Sequence, residues 1–171
     1  MLLKPNYRRG VMKRCQSILI LFVVVLAGGL VTFGSGLSTE AAKFKTFNLM
    51  VTEALAEVPT ISPAEADQAM RANLNTLVID VRDAADIAAT GLIPGAVNIS
   101  LGSLTYKADN EVPQEWRDPK LENRARPIIT TCESGGMAAL AGKLLKDMGF
   151  TNVRILKGGT VAWKAARYPA K

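Results

Sequence analysis

Residues 127–137 read Pro-Ile-Ile-Thr-Thr-Cys-Glu-Ser-Gly-Gly-Met. Pro127 to Thr131 predicts a strand, and Cys132 to Gly136 a tight turn. Met137, Leu140, Ala141, Leu144, Leu145 and Met148 then mark one face of a helix, which Gly149 terminates. A cysteine thus stands between the end of a strand and the start of a helix.

Outward from this unit the same alternation continues. Thr76-Leu77-Val78-Ile79-Asp80-Val81 is a near-continuous apolar run of the kind found in buried parallel strands. Ala96 to Ile99 predicts a short strand after the Pro94-Gly95 turn, and Val153 to Leu156 the last one. Ser62-Pro63-Ala64-Glu65 is a capping box with proline at the first helical position, so a helix is predicted from Pro63 to about Ala72. A short helix is expected over Ala84 to Ala89, ending at Gly91, and a final one after Gly158-Gly159, carrying Trp163 into the core. Strands alternating with helices predict an α/β fold, a small parallel sheet flanked by helices on both faces. Residues 105–126 carry five acids and five bases. They read as a solvated, irregular surface segment with a short helix around Trp116.

The chain has 171 residues and a net charge of +6, from 21 basic and 15 acidic side chains. Lys4, Arg8, Arg9, Lys13 and Arg14 place five of those charges in the first fourteen residues. The remaining 157 residues are almost neutral, so the body has no need of the basic face that nucleic-acid binding requires. Residues 15–39 contain no charge, which suits either a transmembrane anchor or a signal peptide. The basic flank, residues 1–14, is expected to stay in the cytoplasm. The body is then exported, either membrane-anchored on the periplasmic side or released there by cleavage. Residues 40–60 are a linker and an amphipathic helix, with Phe47, Met50, Val51, Ala54, Leu55 and Val58 as one stripe packed on the body and Pro59 as its stop. The folded domain spans residues 61–171.

Histidine is absent. That excludes imidazole as base or ligand, and with it the serine and cysteine hydrolase arrangements that use a His partner. Two cysteines, Cys15 and Cys132, make no disulfide scaffold. Cys15 reads as a small residue at the membrane edge. Cys132 sits where ligands collect in open parallel sheets, at the carboxyl end of a strand. Backbone N–H groups of Glu133, Ser134, Gly135, Gly136 and Met137 are expected to curl around its sulfur at a helix N-terminus, which favours the thiolate. Gly135 and Gly136 allow the backbone to turn and approach closely. Such a cradle is a binding site for an anion with a nucleophile at its centre, and no metal or cofactor is called for.

The segment from Leu77 to Trp163 resembles a rhodanese-family domain. Ile79-Asp80-Val81-Arg82 resembles its first core strand and Asp-x-Arg motif, and Gly91-Leu92-Ile93-Pro94-Gly95-Ala96 its Gly-His-Ile-Pro-Gly-Ala segment. Cys132-Glu133-Ser134-Gly135-Gly136 resembles the active-site loop, and Gly158-Gly159-Thr160-Val161-Ala162-Trp163 the Gly-Gly-x3-Trp. The resemblance implies a sulfurtransferase whose cysteine cycles through a persulfide. Its donor is a thiosulfate, polysulfide or persulfide, and its acceptor a thiol, cyanide or a protein. Asp80 and Arg82 are read as a structural ion pair or loop anchor beside the site.

Two departures stand out. Leu92 replaces the usual His, and Met137 stands where the family loop, Cys-x-x-Gly-x-Arg, commonly has its Arg. A charge-assisted contact contributes about 1.5–3 kcal/mol, so its loss weakens thiosulfate binding roughly tenfold to a hundredfold. The related cell-cycle phosphatases resemble Cys-x5-Arg, and that Arg position is Ala138 here. Neither register supplies an arginine. The rival expectation is a catalytically weak or inactive interaction or sulfur-sensing module on the same fold.

Overall fold

The computed structural model describes residues 44–170. The basic flank and the uncharged run of residues 15–39 lie outside the described residues. Among the described residues, no helix is long and apolar enough to cross a membrane.

Five strands form one parallel sheet in the order β1-β5-β4-β2-β3. They are β1 (Thr60–Ile61), β2 (Leu77–Asp80), β3 (Val97–Asn98), β4 (Ile128–Thr131) and β5 (Val153–Leu156). Every residue of β2 and β4 is buried, which explains why β2 reads as a near-continuous apolar run instead of an alternating one. Side chains of successive residues point to opposite faces. Leu77, Ile79, Ile128 and Ile155 enter one core with the helices α1 (Phe47–Glu57), α4 (Leu101–Lys107) and α5 (Gly136–Asp147). Val78, Ile129 and Leu156 enter the other with α2 (Pro63–Ala72) and α6 (Gly159–Ala165). The sixth α-helix of the described residues, α3 (Ala84–Thr90), third in chain order, runs from the end of β2 towards Gly91. The sheet is therefore covered on both faces.

The capping box forms as the sequence predicts. Ser62 Oγ accepts from the Glu65 N–H, and the Glu65 carboxylate accepts from the Ser62 N–H at 2.9 Å. Those bonds, the Ser62 hydroxyl foremost, hold the Glu65 carboxyl below its usual range.

Two readings are corrected. The segment 105–126 is not simply a solvated surface loop. Its start belongs to α4, and Leu104, Ala108 and Leu121 are all buried in the larger core. Short 3-10 turns at Gln114–Trp116 and Pro119–Leu121 carry the chain between them. Leu104 lies just before the segment and Ala108 one helical turn on, while Leu121 stands alone among the charges thirteen residues later, too far off to extend the pattern. The stripe of α1 is also only partly packed: Ala54 and Val58 are buried, while Phe47, Met50 and Leu55 remain 50%, 37% and 45% exposed. The strand β1, two residues long, follows Pro59 and pairs with β5 inside what reads as linker.

Candidate active site

The chain leaves β2 to form β3 on one side and returns to form β4 on the other. Strand order thus reverses between β2 and β4, and the crevice beyond their carboxyl ends is where open α/β sheets bind ligands. Asp80 and Thr131 are register partners, so Val81 and Cys132 leave the sheet side by side and Arg82 follows one residue on.

The Cys132 side chain is buried, with 2% of its surface exposed. Its Sγ accepts hydrogen bonds from the Gly135 N–H at 3.1 Å and the Ala138 N–H at 3.4 Å. Gly135 adopts φ +104° at the N-cap of α5, a conformation that favours glycine. Thr130 Oγ1 donates to the Ala138 carbonyl at 2.9 Å and ties the first turn of α5 to β4. The sequence names Gly135 in the cradle but not Ala138, one residue beyond the glycine-rich turn. A helical register drawn from Gly136 would have found it, since Ala138 belongs to the first turn of α5. The N–H groups of Glu133, Ser134, Gly136 and Met137 make no bond to the sulfur and donate to no other acceptor of the described residues. Four backbone donors at and just before the helix start are thus without a protein acceptor among the described residues.

The loop is held from behind by α6. The Thr160 N–H donates to the Cys132 carbonyl at 2.8 Å and the Val161 N–H to the Glu133 carbonyl at 3.0 Å. Such an approach leaves no room for a side chain at Gly159, where a Cβ would meet the Cys132 oxygen at 2.4 Å and the Glu133 oxygen at 2.5 Å. Trp163, four residues on, is buried in the second core and donates from Nε1 to the Pro169 carbonyl at 2.8 Å.

Asp80 and Arg82 form a buried ion pair, Nη2 to Oδ2 2.6 Å. Arg82 Nε donates to both carboxylate oxygens, Nη1 to Thr90 Oγ1 at 2.6 Å and Nη2 to the Gly91 carbonyl at 2.9 Å. Asp80 holds the guanidinium above its usual range, above all through the side-chain hydrogen bonds. Asn98 Nδ2 bridges the Asp80 and Arg82 carbonyls at 2.9 and 2.8 Å, so β2, β3 and the Gly91 turn share one network. The pair anchors the end of β2 next to the cysteine, with four of the five guanidinium N–H donors engaged. Lys143 and Lys146 are turned away as well, bonded to Glu57 on α1. Met137 packs on the larger core, and the loop carries no cation.

A rhodanese-like domain model matches residues 62–166, and the chain belongs to that family. It is 34% identical over 88 residues to the rhodanese domain-containing protein CG4456 of Drosophila melanogaster, covering 50% of this chain and 79% of the fly protein. Its structure is similar to that of a protein of unknown function from Rhodopseudomonas palustris, named as a possible tyrosine phosphatase, with TM-score 0.69 and 27% identity over 74% of this chain and 95% of that one. It is also similar to the 30 kDa polysulfide-sulfur transferase homodimer of Wolinella succinogenes, with TM-score 0.58 and 26% identity over 73% of this chain and 86% of that one.

The contact behind the loop has a direct consequence. Gly159→Ala places a methyl group inside two carbonyl oxygens at a residue with φ +59°, so α6 must withdraw from the loop. A loss of about 1–3 kcal/mol, the scale for overpacking, is expected in urea unfolding, together with faster alkylation of the normally buried Cys132.

Proposed function

We propose that this member of the rhodanese-like family is a sulfurtransferase that carries sulfane sulfur as a Cys132 persulfide. The observation that supports it is the thiol between two N–H donors with four further donors unpaired around it. Cys132 Sγ, as thiolate, attacks the outer sulfur of a persulfide or polysulfide donor. The donor's S–S bond breaks, its electron pair leaves on the donor sulfur, and a Cys132 S–S bond forms. The outer sulfur now bears the negative charge and accepts hydrogen bonds from the free N–H groups of the loop. An acceptor thiol, cyanide or acceptor protein then takes that sulfur, and the Cys132 thiolate leaves. Atoms and electrons balance without a cofactor, and the transfer needs no general base, in keeping with a chain that has no histidine.

Persulfides are favoured over thiosulfate. A doubly charged thiosulfate gains most from a cation, and the loop offers dipoles and the carboxylate of Glu133. The same poverty of charge argues against phosphoryl transfer, which relies on cationic clamps for the transferring group. We place the domain outside the cytoplasm, anchored by residues 15–39 or released after their cleavage. N-terminal sequencing of the mature protein separates these two.

The burial of Cys132 at 2% exposure favours one rival, a module that senses or binds sulfur species without turnover. Mass spectrometry of the full chain after polysulfide treatment separates the two. A +32 Da adduct on Cys132 that disappears on adding an acceptor thiol is expected, and Cys132→Ser abolishes it. A stable absence of adduct in the native chain rejects the enzyme. The charge argument has its own measure: Met137→Arg should raise kcat/KM for thiosulfate about tenfold to a hundredfold, and an unchanged value refutes it.

A further inference from the structure

The family match begins at residue 62, and α1 lies before it. Nevertheless α1 touches the catalytic loop. The Phe47 ring lies against Gly136, so closely that a Cβ there would stand 3.0 Å from Phe47 Cζ and 3.3 Å from Cε1. Gly136 is the first residue of α5 and sits between the two residues whose N–H groups hold the sulfur, Gly135 and Ala138. Val51 and Leu55, further along α1, border a cavity of about 240 Å³ whose other wall is the Ser134-Gly135-Gly136 turn. On its far end α1 is fixed to α5 by the burial of Ala54 and Val58, and by Glu57 accepting from Lys143 and Lys146.

We propose that Phe47 is a positioning residue of the sulfur site, setting the Gly135 and Ala138 N–H groups on Cys132 through its ring contact with Gly136. The inference deepens the sulfurtransferase reading and rests on it for its biological purpose, though the contact acts on the thiol whatever the thiol does. A half-exposed phenylalanine contributes little to the core. Its buried side is spent on a glycine that has no side chain of its own to pack. Val51 Cγ2 stands farther off, 3.7 Å from the same Cβ position, and a cavity borders the rest of the turn. A displacement of the first turn of α5 lengthens both N–H contacts to sulfur, and hydrogen bonds to a charged acceptor are the ones most sensitive to such loss.

The test is the pH profile of Cys132 alkylation by iodoacetamide in the full chain, read on the Cys132 peptide by mass spectrometry. Alkylation follows the thiolate, so it reports the cradle without any sulfur donor. Phe47→Ala should move the midpoint upward and slow alkylation at neutral pH about threefold to tenfold, the scale of weakening a bond to a charged acceptor. Phe47→Leu, which keeps an apolar group on Gly136, should restore most of the profile. Arg82 with Asp80, Glu133 and Lys157 are the charged groups around the loop, and neither substitution alters them. An unmoved profile in Phe47→Ala, or equal shifts in both variants, overturns the proposal. Should Phe47→Ala fail to fold, Gly136→Ala presses on the same ring from the loop side, and an unshifted profile there overturns it equally. A chain that shows the shift but never takes the +32 Da adduct would retain the positioning role and lose the sulfurtransferase reading.

Discussion

Two hydrogen bonds, from the Thr160 and Val161 N–H groups to the carbonyls of Cys132 and Glu133, set the loop on which everything else rests. In a trans peptide the N–H points opposite to the C=O. Drawing these two carbonyls towards α6 therefore turns the N–H groups of Glu133 and Ser134 to the other side. Gly159 makes this possible by having no Cβ, since its backbone runs where any side chain would strike both oxygens. The Gly-Gly of the C-terminal motif and the cysteine of the loop are thus two halves of one construction, 26 residues apart in sequence.

Charge is distributed around this loop in an unusual way. Arg82 stands at the end of the neighbouring strand, yet Asp80, Thr90 and Gly91 take its donors. A buried pair of this kind costs about 3–5 kcal/mol to break, because the surviving charge is left unpaired in the interior. It cannot be lent to a substrate without that penalty. The lysines of α5 are spent on holding α1. Within the Cys132–Met137 loop itself the polar groups offered are backbone N–H dipoles and the Glu133 carboxylate, with Lys157 the cation bordering the same cavity as the turn.

Much of the architecture was legible in the sequence because buried parallel strands leave an unbroken apolar record. Leu77 to Ile79 carry it, Ile128 and Ile129 open the partner strand after Pro127, and the helices are punctuated by Ser62, Gly91, Gly149 and Gly158. Order of motifs then located Cys132 at a strand end. Shorter elements escaped for a physical reason: β1 has two residues, too few for any period, and α4 is built from Leu-Gly-Ser-Leu-Thr-Tyr-Lys, where glycine, serine and threonine conceal a helix fixed by one buried leucine, Leu104. Within the site, the turn signalled by two glycines was visible, but the second donor, Ala138, was not. Its identity comes from the bend of the helix start, and alanine bears no chemical mark of a backbone role.

The contribution of α1 was hidden more deeply. An amphipathic stripe announces that a helix packs, not on what. Here the most buried members, Ala54 and Val58, serve the core, while the half-exposed Phe47 serves the loop. Judged by burial alone Phe47 is the least important of the stripe. Its significance lies in the residue it touches, a glycine that stands between Gly135 and Ala138, the two residues whose N–H groups donate to the sulfur. A loop stabilised by backbone dipoles works only as well as those dipoles are aimed, and aiming falls to whatever packs against the glycines. In this chain one of those contacts comes from outside the family domain, so a fragment cut at residue 62 would keep every family motif and lose the ring that packs on Gly136.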